Sequence, residues 1–208
     1  MGCGSVRLAV NSDEVAERLR ADTPFYSRHL LKIADKRGEI IPFTYSPAQE
    51  ALDAALEAQR ESGRAMRAII LKARQIGFST AVQSKLIQRA TTRPNYNVVV
   101  VAHDRDTGAK LYRIGKRMYD LLPDDPAWKP DLAGTRRGRE LHFLNGGKRA
   151  MAAGGGFPDS VYLVDTAGEF QAGRGGTYQA VHASEAAFWD DLVTKLTALK
   201  NAVPDHPE

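Results

Sequence analysis

Apolar residues fall at helical spacing early in the chain and gather into short, dense runs further on. Val15, Leu19, Phe25, Leu30 and Leu31 recur at loosely helical intervals over residues 12–35, behind Ser12 as a candidate N-cap, and predict a helical segment. Residues 36–45 read as a connector ending in Phe43-Thr44-Tyr45. Ser46-Pro47-Ala48-Gln49 then opens a second helix: Ser46 is the N-cap, Pro47 the first helical position and Gln49 the capping-box partner. That helix is expected to run to about Glu61 and stop near Gly63. A short apolar run, Met66 to Leu71, predicts a strand, followed by a glycine-containing turn and a helix from about Ser79 to Ala90. Asn97 to Ala102 is continuously apolar after its first residue, the mark of a strand covered on both faces. A further helix is expected from about Asp104 to Leu122, with Leu111, Ile114, Met118 and Leu121 on its inner side.

After Pro123 the pattern shortens. Strands are predicted at Leu141–Leu144, Ser160–Val164 and Tyr178–Ala183, separated by glycine-rich stretches at residues 146–147, 154–156 and 173–176, and a last helix starts near Trp189. Alternating strand and helix predicts an α/β domain with a mainly parallel central sheet flanked by helices. The expected organisation is a helical N-terminal extension over residues 1–40 and one α/β domain over residues 41–208.

Composition narrows the class. Hydrophobic residues make up 43% and charged residues 26% of the 208, enough apolar side chain for a real core. No stretch approaches 18 consecutive apolar residues, so no membrane span is expected, and the N-terminus lacks the apolar run of a signal peptide. Val6 stands where a myristoylation signal needs Ser or Thr. One cysteine, Cys3, excludes an internal disulfide and a cysteine-rich zinc site. The formal charge of +4 permits a nucleic-acid partner without requiring one. Positive charge is densest over residues 129–149, where Arg136, Arg137, Arg139, Lys148 and Arg149 offer candidate contacts to DNA phosphates or, equally simply, a solvated basic face.

The sharpest chemistry sits in the turn after the predicted strand at 66–71. Lys72-Ala73-Arg74-Gln75-Ile76-Gly77-Phe78-Ser79-Thr80 keeps the last glycine and the hydroxyl of a Walker A loop, G-x-x-x-x-G-K-[ST]. Phe78 stands at the usual lysine and Lys72 at the first glycine. Backbone N–H groups and the helix N-terminus attract phosphate oxygens wherever the lysine sits. Lys72 or Arg74 can supply the cation, and Ser79, or next Thr80, can hold Mg²⁺. A plain strand-to-helix turn with two solvated cations is the structural alternative. Two acids compete to serve the loop. Val161-Tyr162-Leu163-Val164-Asp165 is the better hydrophobic run closed by an acid, and Glu185 follows the weaker run from Ala180. His182, with no cysteines and no paired histidine, reads as a strand histidine with a structural partner rather than a metal ligand.

Four segments together resemble the large terminase subunits, the DNA-packaging motors of tailed bacteriophages. The string from Lys72 to Thr80 is similar to that family's deviant Walker A loop. Gly173-Arg174-Gly175-Gly176-Thr177, followed by Val181-His182-Ala183-Ser184-Glu185-Ala186-Ala187-Phe188-Trp189, resembles its Gly-Arg-Gly turn and the strand ending in His-x-Ser-Glu-x-Ala. Phe43 to Gln49 resembles its adenine-binding segment, and Val100-Val101-Ala102-His103 leading to Leu111-Tyr112 is a fourth, weaker match. The four span about residues 43–189 in the family's order. Two departures stand out: Ser184-Glu185 replaces the family's Asp-Glu pair, and neither the coupling motif nor the nuclease domain is visible before Glu208.

The resemblance implies a P-loop ATPase of the additional-strand type that uses ATP and Mg²⁺. Glu185 would position the attacking water, with Ser79 and Glu185 at the metal. Residues 72–80, Lys72, Ala73, Arg74, Gln75, Ile76, Gly77, Phe78, Ser79 and Thr80, would cradle phosphate, and Arg74 would reach the γ-phosphate in cis. Phe43 or Tyr45 would stack on the adenine and Gln49 read its edge, although a capping-box glutamine needs no nucleotide. Arg174 would be either an arginine finger in trans or a plain loop arginine. The implied partners are double-stranded DNA, the portal protein of the procapsid, a small terminase subunit and further copies in a ring, pentameric by the resemblance, with a monomer expected in isolation. The implied location is the host cytoplasm, docked on the procapsid during packaging, with no membrane. Rival readings are a P-loop helicase of another family and a nucleic-acid-binding module with an inactive phosphate loop.

Overall fold

Val98 to Ala102 is the spine of the molecule: all five residues are buried, as β-branched side chains in a strand covered on both faces should be. In the computed structural model, which describes residues 12–73, 76–133, 139–144, 159–169 and 177–204, this strand is β3. Before it come α1 (Ser12–Ala21), α2 (Thr23–Leu30), β1 (Lys32–Ala34), β2 (Ile40–Pro42), α3 (Pro47–Glu61) and α4 (Phe78–Thr92). After it come α5 (Arg105–Asp120), β4 (Asp131–Leu132), β5 (Glu140–Leu144), β6 (Ser160–Thr166), β7 (Ala180–Ala183), a 3-10 turn (Ala186–Phe188) and α6 (Leu192–Asn201).

The main sheet has the order β4-β5-β6-β3-β7. β6, β3 and β7 run parallel, with Val99 opposite Leu163 on one side and Val181 on the other. β5 pairs antiparallel with both β4 and β6, so the sheet is mixed, with the expected parallel strands at its core and an antiparallel edge.

Strand pleating sorts the core into two faces. Val98, Val100, Ala102, Tyr162 and Val164 pack towards α4 and α5, where Leu86, Ile87, Leu111 and Met118 complete the larger cluster. Val99 and Val101 face the other way, against Trp189 and Leu199. Each buried valine contributes roughly 1.5–3 kcal/mol over its exposed state.

The expected helix over residues 12–35 is two helices and a strand. Asp22 breaks it: its side chain caps α2 by accepting from the Phe25 N–H at 2.8 Å, with Pro24 in the first turn. Leu19, Tyr26 and Leu31 join the larger core cluster, and Gln88 of α4 bonds both elements, donating to the Leu19 carbonyl at 2.7 Å and accepting from Thr23 at 2.6 Å. The N-terminal helices thus lie directly on α4. The predicted strand at 66–71 does not form. Residues 64–73 carry no regular structure, and Ile69 and Leu71 stand fully exposed. An apolar run makes a strand only where a sheet edge accepts it, and no described strand pairs with this one.

Candidate nucleotide-binding site

The loop's glycine is required twice over. Gly77 caps α4 in the left-handed region, at φ 74° and ψ 12°, where a side chain is strained. A Cβ there would also lie 2.7 Å from Gln49 Nε2. That close approach is functional geometry. Gln49 Nε2 donates to the Gly77 carbonyl at 2.8 Å, and Gln49 Oε1 accepts from the Ser46 N–H at 2.8 Å. The capping-box glutamine of α3 therefore braces the start of α4. Buried and committed to backbone, it acts as a strut, and its adenine-edge role finds no open edge here. Phe43 and Tyr45 are likewise engaged in packing. Both rings are buried in the core, 5.2 Å apart, and the Tyr45 hydroxyl bonds the Ala81 carbonyl and Ser84 Oγ. Their apolar faces serve packing, so neither is free to stack on a base.

Beyond Gly77, the N–H groups of Phe78, Ser79 and Thr80 begin α4 without intrahelical partners, at the positive end of its dipole. No acidic residue occupies that first turn. Phe78, Ser79 and Thr80 are half-buried, whereas Lys72, Ala73 and Ile76 are exposed beside them. Arg74 and Gln75 lie outside the described residues, as do Arg174, Arg136, Arg137, Lys148 and Arg149.

The acid side of the site is β7. Ser184 ends it with its N–H donating to the Val101 carbonyl at 2.8 Å. Glu185 follows at φ 53° and ψ 38°, a left-handed backbone for a side chain that does not favour it, and its carboxylate-bearing residue is exposed. Such a conformation costs about 1–3 kcal/mol and persists only where the surroundings impose it. They do: Trp189 Nε1 donates to the Ser184 carbonyl at 3.1 Å, and the Phe188 N–H to the Glu185 carbonyl at 3.0 Å.

One bond ties the two sides together. Gln83 of α4 lies 3.1 Å through Nε2 from His182 Nδ1 on β7, and its Oε1 accepts from the Tyr162 hydroxyl at 2.5 Å. Burial, with the Lys72 charge nearby, pushes the His182 imidazole down to about 4, so it is neutral at ordinary pH. The expected structural partner of His182 is Gln83. Lys72 thus reaches the neighbourhood of β7 although its segment joins no sheet.

Asp165 sits elsewhere. It alternates with Tyr162 and Val164 and so shares the α6 face with Leu163, where its charge helps raise the Tyr178 hydroxyl, after burial. Its carboxylate accepts from the next N–H, of Thr166, at 2.8 Å. Arg139, the described member of the basic run, is 3.6 Å from Glu169, which also pairs with Arg105. Among the described residues no group of three or more His, Cys, Asp and Glu could hold a metal. The donors on hand, a Ser79 hydroxyl and the Glu185 carboxylate, are hard oxygens. They fit Mg²⁺, which keeps waters and phosphate oxygens as its other ligands.

Sequence reading passed over Gln83, Tyr162 and Trp189. The signal for the first was present: Gln83, Ser84, Lys85, Gln88 and Arg89 are all buried, and α4 carries no clean apolar stripe.

No protein-family model and no curated protein matches the sequence. Among solved structures, the large terminase of bacteriophage HK97 superposes with a TM-score of 0.65 at 17% identity, over 92% of this chain and 36% of that one. The chain therefore spans about a third of that protein's length. The large terminase ATPase domain of Thermus phage P74-26 matches 61% of this chain and 53% of that one, at 20% identity and a TM-score of 0.45, too low to carry an argument. Among the described residues no helix is long and apolar enough to cross a membrane. The α/β fold read from the sequence, a central sheet flanked by helices, is the fold this chain shares with the HK97 large terminase.

Proposed function

We propose that this chain is the ATP-hydrolysing motor domain of a viral large terminase subunit, driving double-stranded DNA into a procapsid. The observation that carries the reading is the 3.1 Å contact between Gln83 and His182. It ties α4 to β7, the strand that leads towards Glu185, and the carboxyl edge of parallel strands is where α/β folds bind ligands. The ATPase unit is residues 41–208, with residues 1–40 as its helical N-terminal extension.

In this reading the N–H groups of Phe78, Ser79 and Thr80 cradle the β- and γ-phosphates. Lys72 and Arg74 place positive charge on them in place of the usual lysine. Ser79 and Glu185 would hold Mg²⁺, which when bound would neutralise phosphate charge, and Glu185 would orient the attacking water. Glu185 is preferred to Asp165 because Asp165 shares with Leu163 the face of β6 turned away from α4. Arg174 completes a neighbouring subunit's site in trans, so the working form is a ring, with the portal protein and a small terminase subunit as partners in the host cell. Arg136, Arg137, Arg139, Lys148 and Arg149 grip DNA phosphates without reading bases.

The test is Mg²⁺-dependent ATP hydrolysis across a wide protein concentration range, for the unaltered chain, Lys72→Ala and Arg174→Ala. Specific activity rising with concentration and lost in both variants supports the motor with a trans arginine, whose absence typically costs roughly 10³-fold or more. ATP binding without turnover at any concentration favours a nucleic-acid-binding module with an inactive loop.

A further inference from the structure

We infer that Gln83 is a positioning residue that, through His182, sets the distance between the phosphate loop and Glu185. The inference rests on the ATPase reading above and gives the Gln83–His182 contact a catalytic consequence that reading leaves open.

Gln83 lies four residues after Ser79 on α4, about 6 Å along a helix axis. His182 lies on β7 three residues before Glu185, and the strand ends one residue after it, at Ala183. The contact between them is therefore a short cross-link between the two halves of the site. Both ends of the Gln83 amide are used, which fixes its orientation: Oε1 accepts from Tyr162 and Nε2 donates to His182. Since Nε2 donates, His182 Nδ1 accepts and its proton sits on Nε2, a tautomer assigned from the bonding pattern. The neutral imidazole agrees with that arrangement.

The surroundings show that this is a built network. Gln83 and Tyr162 are completely buried, on a sheet face otherwise lined by Val98, Val100 and Val164. Apolar side chains would fill the same space without the cost of burying an amide and a phenol. Instead α5 gives way to them: a Cβ at Gly115 would come within 2.5 Å of the Tyr162 hydroxyl. Four elements, α4, α5, β6 and β7, thus meet around one amide. Such a network, fully satisfied, specifies one arrangement where an apolar core tolerates several. Catalysis is sensitive to that difference, because a displacement of about 1 Å at the reacting groups costs on the order of 10²-fold.

The experiment compares Gln83→Leu, His182→Leu and His182→Asn with the unaltered chain in Mg²⁺-ATP hydrolysis. Turnover is expressed per nucleotide-binding site, counted by titration with a fluorescent ATP analogue, so that unfolded molecules do not enter kcat. His182→Asn is the rescue variant, because Asn Oδ1 stands where Nδ1 stood and still accepts from Gln83. The two leucine variants should lose tenfold or more in kcat with KM within threefold, and His182→Asn should stay within threefold in both. Unchanged kcat per site in the leucine variants overturns the inference, as does an asparagine variant that falls as far as His182→Leu. If the unaltered chain binds ATP but never turns it over, the motor reading fails and the positioning role with it. If the unaltered chain turns over and only the variants defy expectation, the positioning role alone fails.

Discussion

Lys85 holds the phosphate-loop helix to α3, and replacing it tests whether α4 is anchored by charge as well as by packing. Its ammonium lies 2.7 Å from Asp53 Oδ1, 2.7 Å from Glu57 Oε1 and 3.3 Å from Thr23 Oγ1. The Lys85 and Asp53 side chains are only 10% and 11% exposed, so water screens the pair little. Lys85→Met keeps the apolar stem and removes the charge, leaving Asp53 buried without its cation. Breaking a buried pair from one side costs about 3–5 kcal/mol. Glu57 is spared part of that, since Arg60 at 2.6 Å and Arg89 at 3.4 Å remain and its side chain is 19% exposed. The expected loss is therefore about 2–4 kcal/mol, measured as the shift in urea midpoint at constant slope. Lys85→Met combined with Asp53→Leu should recover most of it, because no charge is then stranded. The same variant should alter the acid limb of stability. Burial pushes the Glu57 carboxyl upward, but hydrogen bonds from Lys85 and Arg60, with the charges of Lys85 and Arg89, hold it below its ordinary value. That stabilisation is present above the ordinary carboxylate range and lost as pH falls through the lowered folded value; Lys85→Met should shrink it. A loss under about 1 kcal/mol at neutral pH, or a double variant worse than the single, would refute the reasoning.

Two further outcomes follow from the buried network. Gly115→Ala, which in an exposed helix would gain about 1 kcal/mol, should instead destabilise by about 1–3 kcal/mol, because its Cβ meets the Tyr162 hydroxyl; thermal unfolding checks the sign, and a stabilised variant contradicts the packing. His182 is neutral in the fold down to about 4, whereas an unfolded histidine protonates near 6.5. The unfolded state therefore binds the extra proton first, so this group's contribution is fully present above about pH 6.5 and fades towards pH 4. Its ceiling is about 3 kcal/mol at 1.36 kcal/mol per pH unit, and stability of His182→Asn against pH should lack that slope.

What the sequence disclosed depended on how local the deciding interactions are. The α3 start was legible because Ser46, Pro47 and Gln49 form a self-contained cap, and β3 because five consecutive buried residues need no partner's identity to be read. The turn at Gly77 was legible because a glycine just before a helical run marks a left-handed turn. The segment at 66–71 misled, since its apolar run says nothing about whether a sheet edge is free to receive it. Gln49 was read for a ligand and proved a strut, because its second partner, Gly77, is 28 residues away. The Gln83–His182 contact spans 99 residues and joins a helix to a strand, so no local pattern announces it. By run length alone Asp165 is the better candidate, and the order β6-β3-β7, which puts the two acids on strands either side of β3, is not legible in the sequence.

The measurement that tests the central claim most directly is ATP turnover per bound nucleotide in Glu185→Gln beside Asp165→Asn. The account predicts that Glu185→Gln binds Mg²⁺-ATP with nearly unchanged affinity and loses turnover by about 10²-fold or more, the scale of a lost general acid–base group, while Asp165→Asn keeps both. Turnover that survives Glu185→Gln and collapses in Asp165→Asn would contradict it.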